Sequence, residues 1–228
     1  MRKFIQGLGA IAGIVFLATS GHAALFTFDS PDGIGHAEVT TDTNSVSIYL
    51  RDDAVNPTSI IENISGFVFS ASGGADRAVS PVNPNTGVKY VNVAGTGSYF
   101  IAPGAGATWV YSGTSSQYVL FWNAGAGIGT GPDYTIIGLP GAGGAGTYTN
   151  ANGSIAGNDP HNPFIYHQAT FSLEIEGITA GSTISNVTFL FGTEPSLPTA
   201  PVPEPGTMIL LGSGLVGLAM FGRKKFRN

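Results

Sequence analysis

The sequence predicts an all-β fold, an antiparallel β-sandwich of jelly-roll-like topology, flanked by an N-terminal signal helix and a C-terminal transmembrane helix. Three observations predict the sandwich. Apolar and polar residues alternate with period two in runs rich in β-branched and aromatic side chains, the pattern of strands with one buried face. No stretch between Ala24 and Thr193 carries a helical apolar stripe, and 34 Gly and 14 Pro break the chain too often for helices of ordinary length. A body of about 170 residues buries roughly 70% of its unfolded surface, so it holds together without staples, and the chain has no Cys. A β-barrel is the competing architecture.

Taken in order, the predicted strands are 24–28, 36–41, 45–50, 66–71, 88–93, 108–111, 118–122, 134–138, 169–176 and 184–191. In Phe171-Ser172-Leu173-Glu174-Ile175-Glu176 the apolar side chains share one face and the polar ones the other, which marks a sheet with one wet side. Residues 102–157 depart from the pattern through Gly and Ala clusters, such as Pro103 to Ala107 and Pro140 to Gly146, and read as long loops. Trp109, Tyr111, Tyr118, Trp122, Tyr134 and Tyr148 lie in or near these loops. They serve either as core or as stacking platforms for a glycan.

Both ends carry apolar runs. Arg2 and Lys3 precede the run Phe4 to Ala18, and small residues follow, with Gly21 and Ala23 suited to positions −3 and −1 of a cut before Ala24. This is a secretory signal peptide over 1–23, with a cut one residue later or a retained anchor as the alternatives. Thr207 to Gly222 is uncharged and, as a helix, about 24 Å long, a little short of a hydrocarbon core of about 30 Å. Arg223, Lys224, Lys225 and Arg227 follow and form a membrane-stop cluster that stays on the cytoplasmic side. The organisation is then a signal peptide (1–23), an extracytoplasmic β-sandwich (24–195), a Pro-rich linker (196–206) and a hydrophobic helix with a basic tail (207–228).

Charge supports this division. The chain carries 9 basic and 14 acidic residues. Between the two ends stand only Arg51, Arg77 and Lys89, against thirteen acidic residues from Asp29 to Glu194, a net charge of −10. Such a body is not built for nucleic acid.

The ten residues from Leu197 to Gly206 form an extended, proline-rich tether that a processing enzyme can grip. The order Val202-Pro203-Glu204-Pro205-Gly206, then a short apolar helix, then a basic cluster, resembles the PEP-CTERM sorting signal. The resemblance covers Pro203 to Asn228 and extends to no residue of the body. It implies recognition of Pro203, Glu204 and Pro205 by an exosortase, a membrane-embedded cysteine transpeptidase of Gram-negative bacteria that make exopolysaccharide. It further implies passage through the inner membrane, where signal peptidase also acts, to the cell surface, outer envelope or extracellular matrix. A plain membrane anchor is the alternative. A Gram-positive sortase signal fits worse, because Leu197 to Pro201 lacks the Thr-Gly pair of LPxTG.

Motifs for chemistry are sparse. Gly141 to Gly146 satisfies GxGxxG without a helix start behind it, and Gly212 to Gly217 repeats the pattern inside the tail's apolar run. Asp159, His161 and His167 are the densest set of zinc-type ligands, yet the six-residue spacing suits a loop, and His36 joins them only through tertiary proximity. Asp29, Asp32, Asp42, Asp52, Asp53 and Asp133 lie near predicted turns, where they serve turn chemistry or hold calcium. Asp52, Glu62, Glu174 and Glu176 are the carboxylates a glycosidase would draw on, with Glu174 and Glu176 on a wet face. No GxSxG elbow and no thiol nucleophile is present. Three N-glycosylation sequons begin at Asn63, Asn152 and Asn186.

These observations predict a non-enzymatic protein of the cell surface or matrix, associated with exopolysaccharide and biofilm. It has no catalytic residues and no cofactor, calcium aside. A glycan-binding module is the alternative, and a secreted polysaccharide hydrolase the third reading.

Overall fold

The computed structural model describes residues 14–15, 23–103, 109–115, 117–122, 134–141, 146–158 and 162–192. The chain divides into a unit of residues 1–195, which holds all the described elements, and a unit of residues 196–228. The described part is almost entirely β-sheet, arranged as a sandwich of two sheets. Its one helix is a 3-10 turn, Ile60–Glu62. Among the described residues no helix is long and apolar enough to cross a membrane.

Fourteen strands are described: β1 (Ile14–Val15), β2 (Ala24–Asp29), β3 (Gly35–Asp42), β4 (Ser45–Asp52), β5 (Ile64–Ala71), β6 (Arg77–Val82), β7 (Lys89–Val93), β8 (Tyr99–Pro103), β9 (Trp109–Thr114), β10 (Gln117–Trp122), β11 (Ile136–Ile137), β12 (Phe164–Tyr166), β13 (Gln168–Glu174) and β14 (Ile184–Phe191). The smaller sheet runs β1-β2-β3-β4-β13. The larger runs β6-β9-β10-β5-β11-β12-β7-β8, with β14 paired to β5 as well.

The smaller sheet keeps strict alternation. Phe26 and Phe28, Ala37 and Val39, Val46, Ile48 and Leu50, and Ala169, Phe171 and Leu173 point inward and are buried. Short connections explain the register of β2, β3 and β4, which pair as successive antiparallel neighbours, from Ala24 opposite Thr41 and from Asp42 opposite Ser45. Gly33, with φ +75°, and Asn44, with φ 54°, supply the left-handed turn positions between them.

In the larger sheet β5 is buried along nearly its whole length. Its residues pair with β10, β14 and β11, and Ile64 alone faces both Phe191 and Ile136. One face of this sheet meets the smaller sheet, where the Trp109 ring lies 4.6 Å from that of Phe171 and the Tyr111 hydroxyl donates to the Glu174 carbonyl at 3.0 Å. At β7, β11 and β12 the other face is covered by loops, through a second core of Ile60, Val91, Val93, Ile137, Tyr148, Ile155 and Phe164.

Three strands escape the sequence pattern for local reasons. β6 and β8 end their sheet on either side and carry Pro81 and Pro103, and proline in a strand belongs at an edge. β12 has three residues, too few to show a period. β11 and β12 run parallel, an exception to the antiparallel prediction. β1 falls inside the predicted signal peptide and pairs Ile14 with Thr27 and Val15 with Phe26. The other residues of 1–22, the basic cluster and the whole C-terminal hydrophobic segment lie outside the described residues.

Four of the six aromatics weighed as core or glycan platforms are core. Trp109, Tyr111, Tyr118 and Tyr148 are buried, because their strands place them between the sheets or under the loops. Their polar tips are satisfied internally: the Trp109 indole N–H donates to the Tyr134 carbonyl, the Tyr118 hydroxyl to that of Ala75 and the Tyr148 hydroxyl to that of Gly138. Tyr134 is half-buried beside Tyr90, and the Trp122 side chain lies outside the described ones. Gly138 itself runs against Ala54, where a Cβ would meet the Ala54 carbonyl oxygen at 2.1 Å.

Replacement of Tyr148 by Phe leaves the buried Gly138 carbonyl without its donor. The expected loss is about 1–3 kcal/mol of unfolding free energy, read as a lower urea midpoint at unchanged m-value. Unchanged stability would contradict this role.

Candidate functional site

A cleft on the described surface takes its position from a change of sheet. β12 belongs to the larger sheet and β13 to the smaller, and the single residue between them is His167. The chain crosses from one sheet to the other there with φ at +65°, a left-handed conformation that a residue with a Cβ adopts only when its surroundings hold it. Three hydrogen bonds do so. The His167 N–H donates to the Ile137 carbonyl at 2.9 Å, its carbonyl accepts from the Asp52 N–H at 2.9 Å, and its Nδ1 lies 3.0 Å from the Asp52 carbonyl. A carbonyl only accepts, so the proton sits on Nδ1 and, in the neutral ring, Nε2 is left as an acceptor.

Beside this corner lies a cleft of about 330 Å³, lined among others by Tyr49, Asn85, Lys89, Tyr166, His167 and Gln168. Asn85, in the connection from β6 to β7, is fixed by its N–H to the Thr170 carbonyl and by its side chain to Ser172. The Tyr49 hydroxyl donates to Gln168 Oε1 at 2.8 Å. Tyr166 stacks on Tyr99, which meets Tyr148 edge to face, so a column of rings runs from the cleft into the second core. Burial, and then Tyr99, hold the Tyr166 hydroxyl above its ordinary pKa. A shallower depression shares Tyr49 and Thr170 with the cleft and adds Glu38, Ser47 and Arg51.

Asp52, at the end of β4, occupies the inward row that begins with Val46, Ile48 and Leu50, and it is fully buried. Its Oδ1 accepts from the Ala54 N–H at 2.9 Å, and its Oδ2 has no hydrogen-bond partner. Desolvation therefore raises its pKa well above the usual carboxylate range, against the pull of the Ala54 and Ile64 amides and with a push from the charges of Asp53 and Glu62. Its neighbour Asp53 behaves oppositely. Arg51 grips it through Nε at 2.7 Å and Nη2 at 2.9 Å, which lowers its pKa despite some burial.

The other predicted site residues are placed as follows. His36 lies 2.7 Å from Asp29 through Nδ1 and 3.6 Å from Glu38 through Nε2 on the wet face of the smaller sheet. Asp32 accepts from Ser30 and from the Ile34 N–H, and Asp42 from the Thr43 N–H, both as turn residues. Glu62 accepts from the Thr58 N–H and hydroxyl, while Glu174 and Glu176 are exposed. Among the glycosidase candidates, buried Asp52 is out of reach of any substrate. Among the described residues no three His, Cys, Asp or Glu side chains are grouped to hold a metal. Asp133, Asp159, His161, most of Gly141 to Gly146, and Pro203, Glu204 and Pro205 lie outside the described residues. Of the sequons, Asn63 is buried, whereas Asn152 and Asn186 are exposed.

The cleft was not legible in the sequence. Tyr49, the stretch from Asn85 to Lys89, and Gln168 are far apart in the chain, and nothing in the run from Phe164 to Phe171 announces that His167 turns between sheets.

The buried Asp52 generates a pH dependence. Its folded pKa lies above the unfolded value of about 4, so its contribution to stability is complete below that value and is lost as pH rises through the folded one. Asp52→Asn keeps the size and removes the charge. Thermal melts from pH 4 to 8 should show the wild type losing stability relative to the variant as pH rises, and a constant difference would rule this out.

Comparison with known proteins finds the family model of the PEP-CTERM protein-sorting motif at residues 201–225. No curated protein and no solved structure matches the chain.

Proposed function

We propose that this chain, which carries a PEP-CTERM sorting motif and is by that motif a secreted protein targeted to an exosortase, is a non-enzymatic protein of the cell surface or extracellular matrix associated with exopolysaccharide and biofilm. The single observation that carries the reading is the motif match at 201–225, at the end of the chain where a sorting signal acts. In this reading residues 1–23 are the signal peptide and 24–195 a jelly-roll-like extracytoplasmic body. The linker 196–206 presents Pro203, Glu204 and Pro205 to the exosortase. Residues 207–228 hold the chain in the inner membrane until processing, with Arg223, Lys224, Lys225 and Arg227 as the stop.

The body would act by binding. Among the described candidates, Asp52 is sealed from any substrate and Asp32 and Asp42 are engaged in their turns, which supports this. A glycan-binding module is the second reading, favoured by the cleft beside His167.

Intact-mass analysis in a host that has an exosortase tests the delivery. The mature protein should lack Arg223 to Asn228, and a Pro203→Ala, Pro205→Ala double variant should keep them and remain in the inner membrane. Recovery of the tail on the mature wild-type protein would leave only a membrane anchor.

A further inference from the structure

Charge is distributed unevenly around the cleft. Of the three basic residues in a body with thirteen acidic ones, Lys89 lines the cleft, and no carboxylate does. Lys89 is exposed and makes no ion pair among the described residues. Arg51, by contrast, is committed to Asp53, and Arg77 lies over the Tyr111 ring at 5.4 Å. The cleft is thus a place on an acidic body where an uncommitted cation is free of nearby lining carboxylates.

Other lining side chains offer hydrogen bonds in both directions. Asn85 and Gln168 offer amides, Tyr49 a hydroxyl, and His167 an Nε2 acceptor. Tyr49 and Tyr166 are half-buried, so each keeps ring surface toward solvent. Rings beside paired donors and acceptors suit a sugar, which has apolar C–H patches and hydroxyls that donate and accept. A cleft of about 330 Å³ takes one or two sugar units.

We infer that this cleft binds a uronate, a carboxylate-bearing sugar residue of an acidic polysaccharide, with Lys89 holding the carboxylate and Tyr49, Asn85 and Gln168 taking the hydroxyls. The inference rests on the proposed role of the body as a binder of matrix polymer and names its ligand class and site. Because the rest of the body repels an anionic polymer, recognition is confined to the cleft and weakens as salt screens the single contact.

The test titrates the full-length chain in non-ionic detergent with oligogalacturonate, and in parallel with the same oligomer fully methyl-esterified. Esterification and Lys89→Glu should each weaken binding by about tenfold or more, the scale of one charge-assisted hydrogen bond. Lys89→Arg should bind as the wild type, with all variants melting at the same temperature. Equal binding of the esterified oligomer, an undiminished Lys89→Glu variant, or no binding of oligogalacturonate would each overturn the inference. Removal of the tail in the host is read separately, so loss of binding with the tail still cleaved rejects the cleft assignment and leaves the delivery reading standing.

Discussion

Burial of β5 on both faces is the constraint from which the rest of this structure follows. A strand whose residues from Ile64 to Phe69 are all buried needs cover above and below. The smaller sheet covers the face that carries Phe67 and Phe69, through Phe26, Ile48, Phe171 and their neighbours. Apolar burial of this extent accounts for a body that holds together with no disulfide.

The wet alternation of the smaller sheet leaves Glu38, Tyr49, Arg51, Gln168 and Thr170 pointing outward as an open polar surface. Where the chain leaves one sheet for the other at His167, the rim of that surface deepens into a cleft. The same corner ties Asp52 to the cleft wall, since its backbone N–H and carbonyl hold His167 on both sides while its side chain stays in the core. Packing, strained backbone and recognition surface meet within a few residues.

Delivery and binding are separate problems in this chain and are solved by separate segments. The motif at 201–225 is matched by its local sequence. The cleft of the body is lined by residues such as Tyr49, Lys89 and Gln168, which become neighbours only on folding. A sorting motif can therefore be shared among chains whose bodies differ, and it carries no information about the ligand of the body.

The sequence alone determined the features that depend on local order: the sorting motif, and ten strands, among which β2, β3, β4 and β13 keep their period-two alternation in the structure. Alternation is a property of consecutive side chains, so it is visible without knowing what a strand packs on. Edge strands β6 and β8 were hidden by the prolines that their edge positions tolerate. Only the tertiary structure decided that Trp109, Tyr111, Tyr118 and Tyr148 are core, that Asp52 is sealed in, and that Lys89 stands free beside His167. Burial and neighbourhood are set by strands paired across the chain, and pairing at that distance leaves no mark on the order of residues.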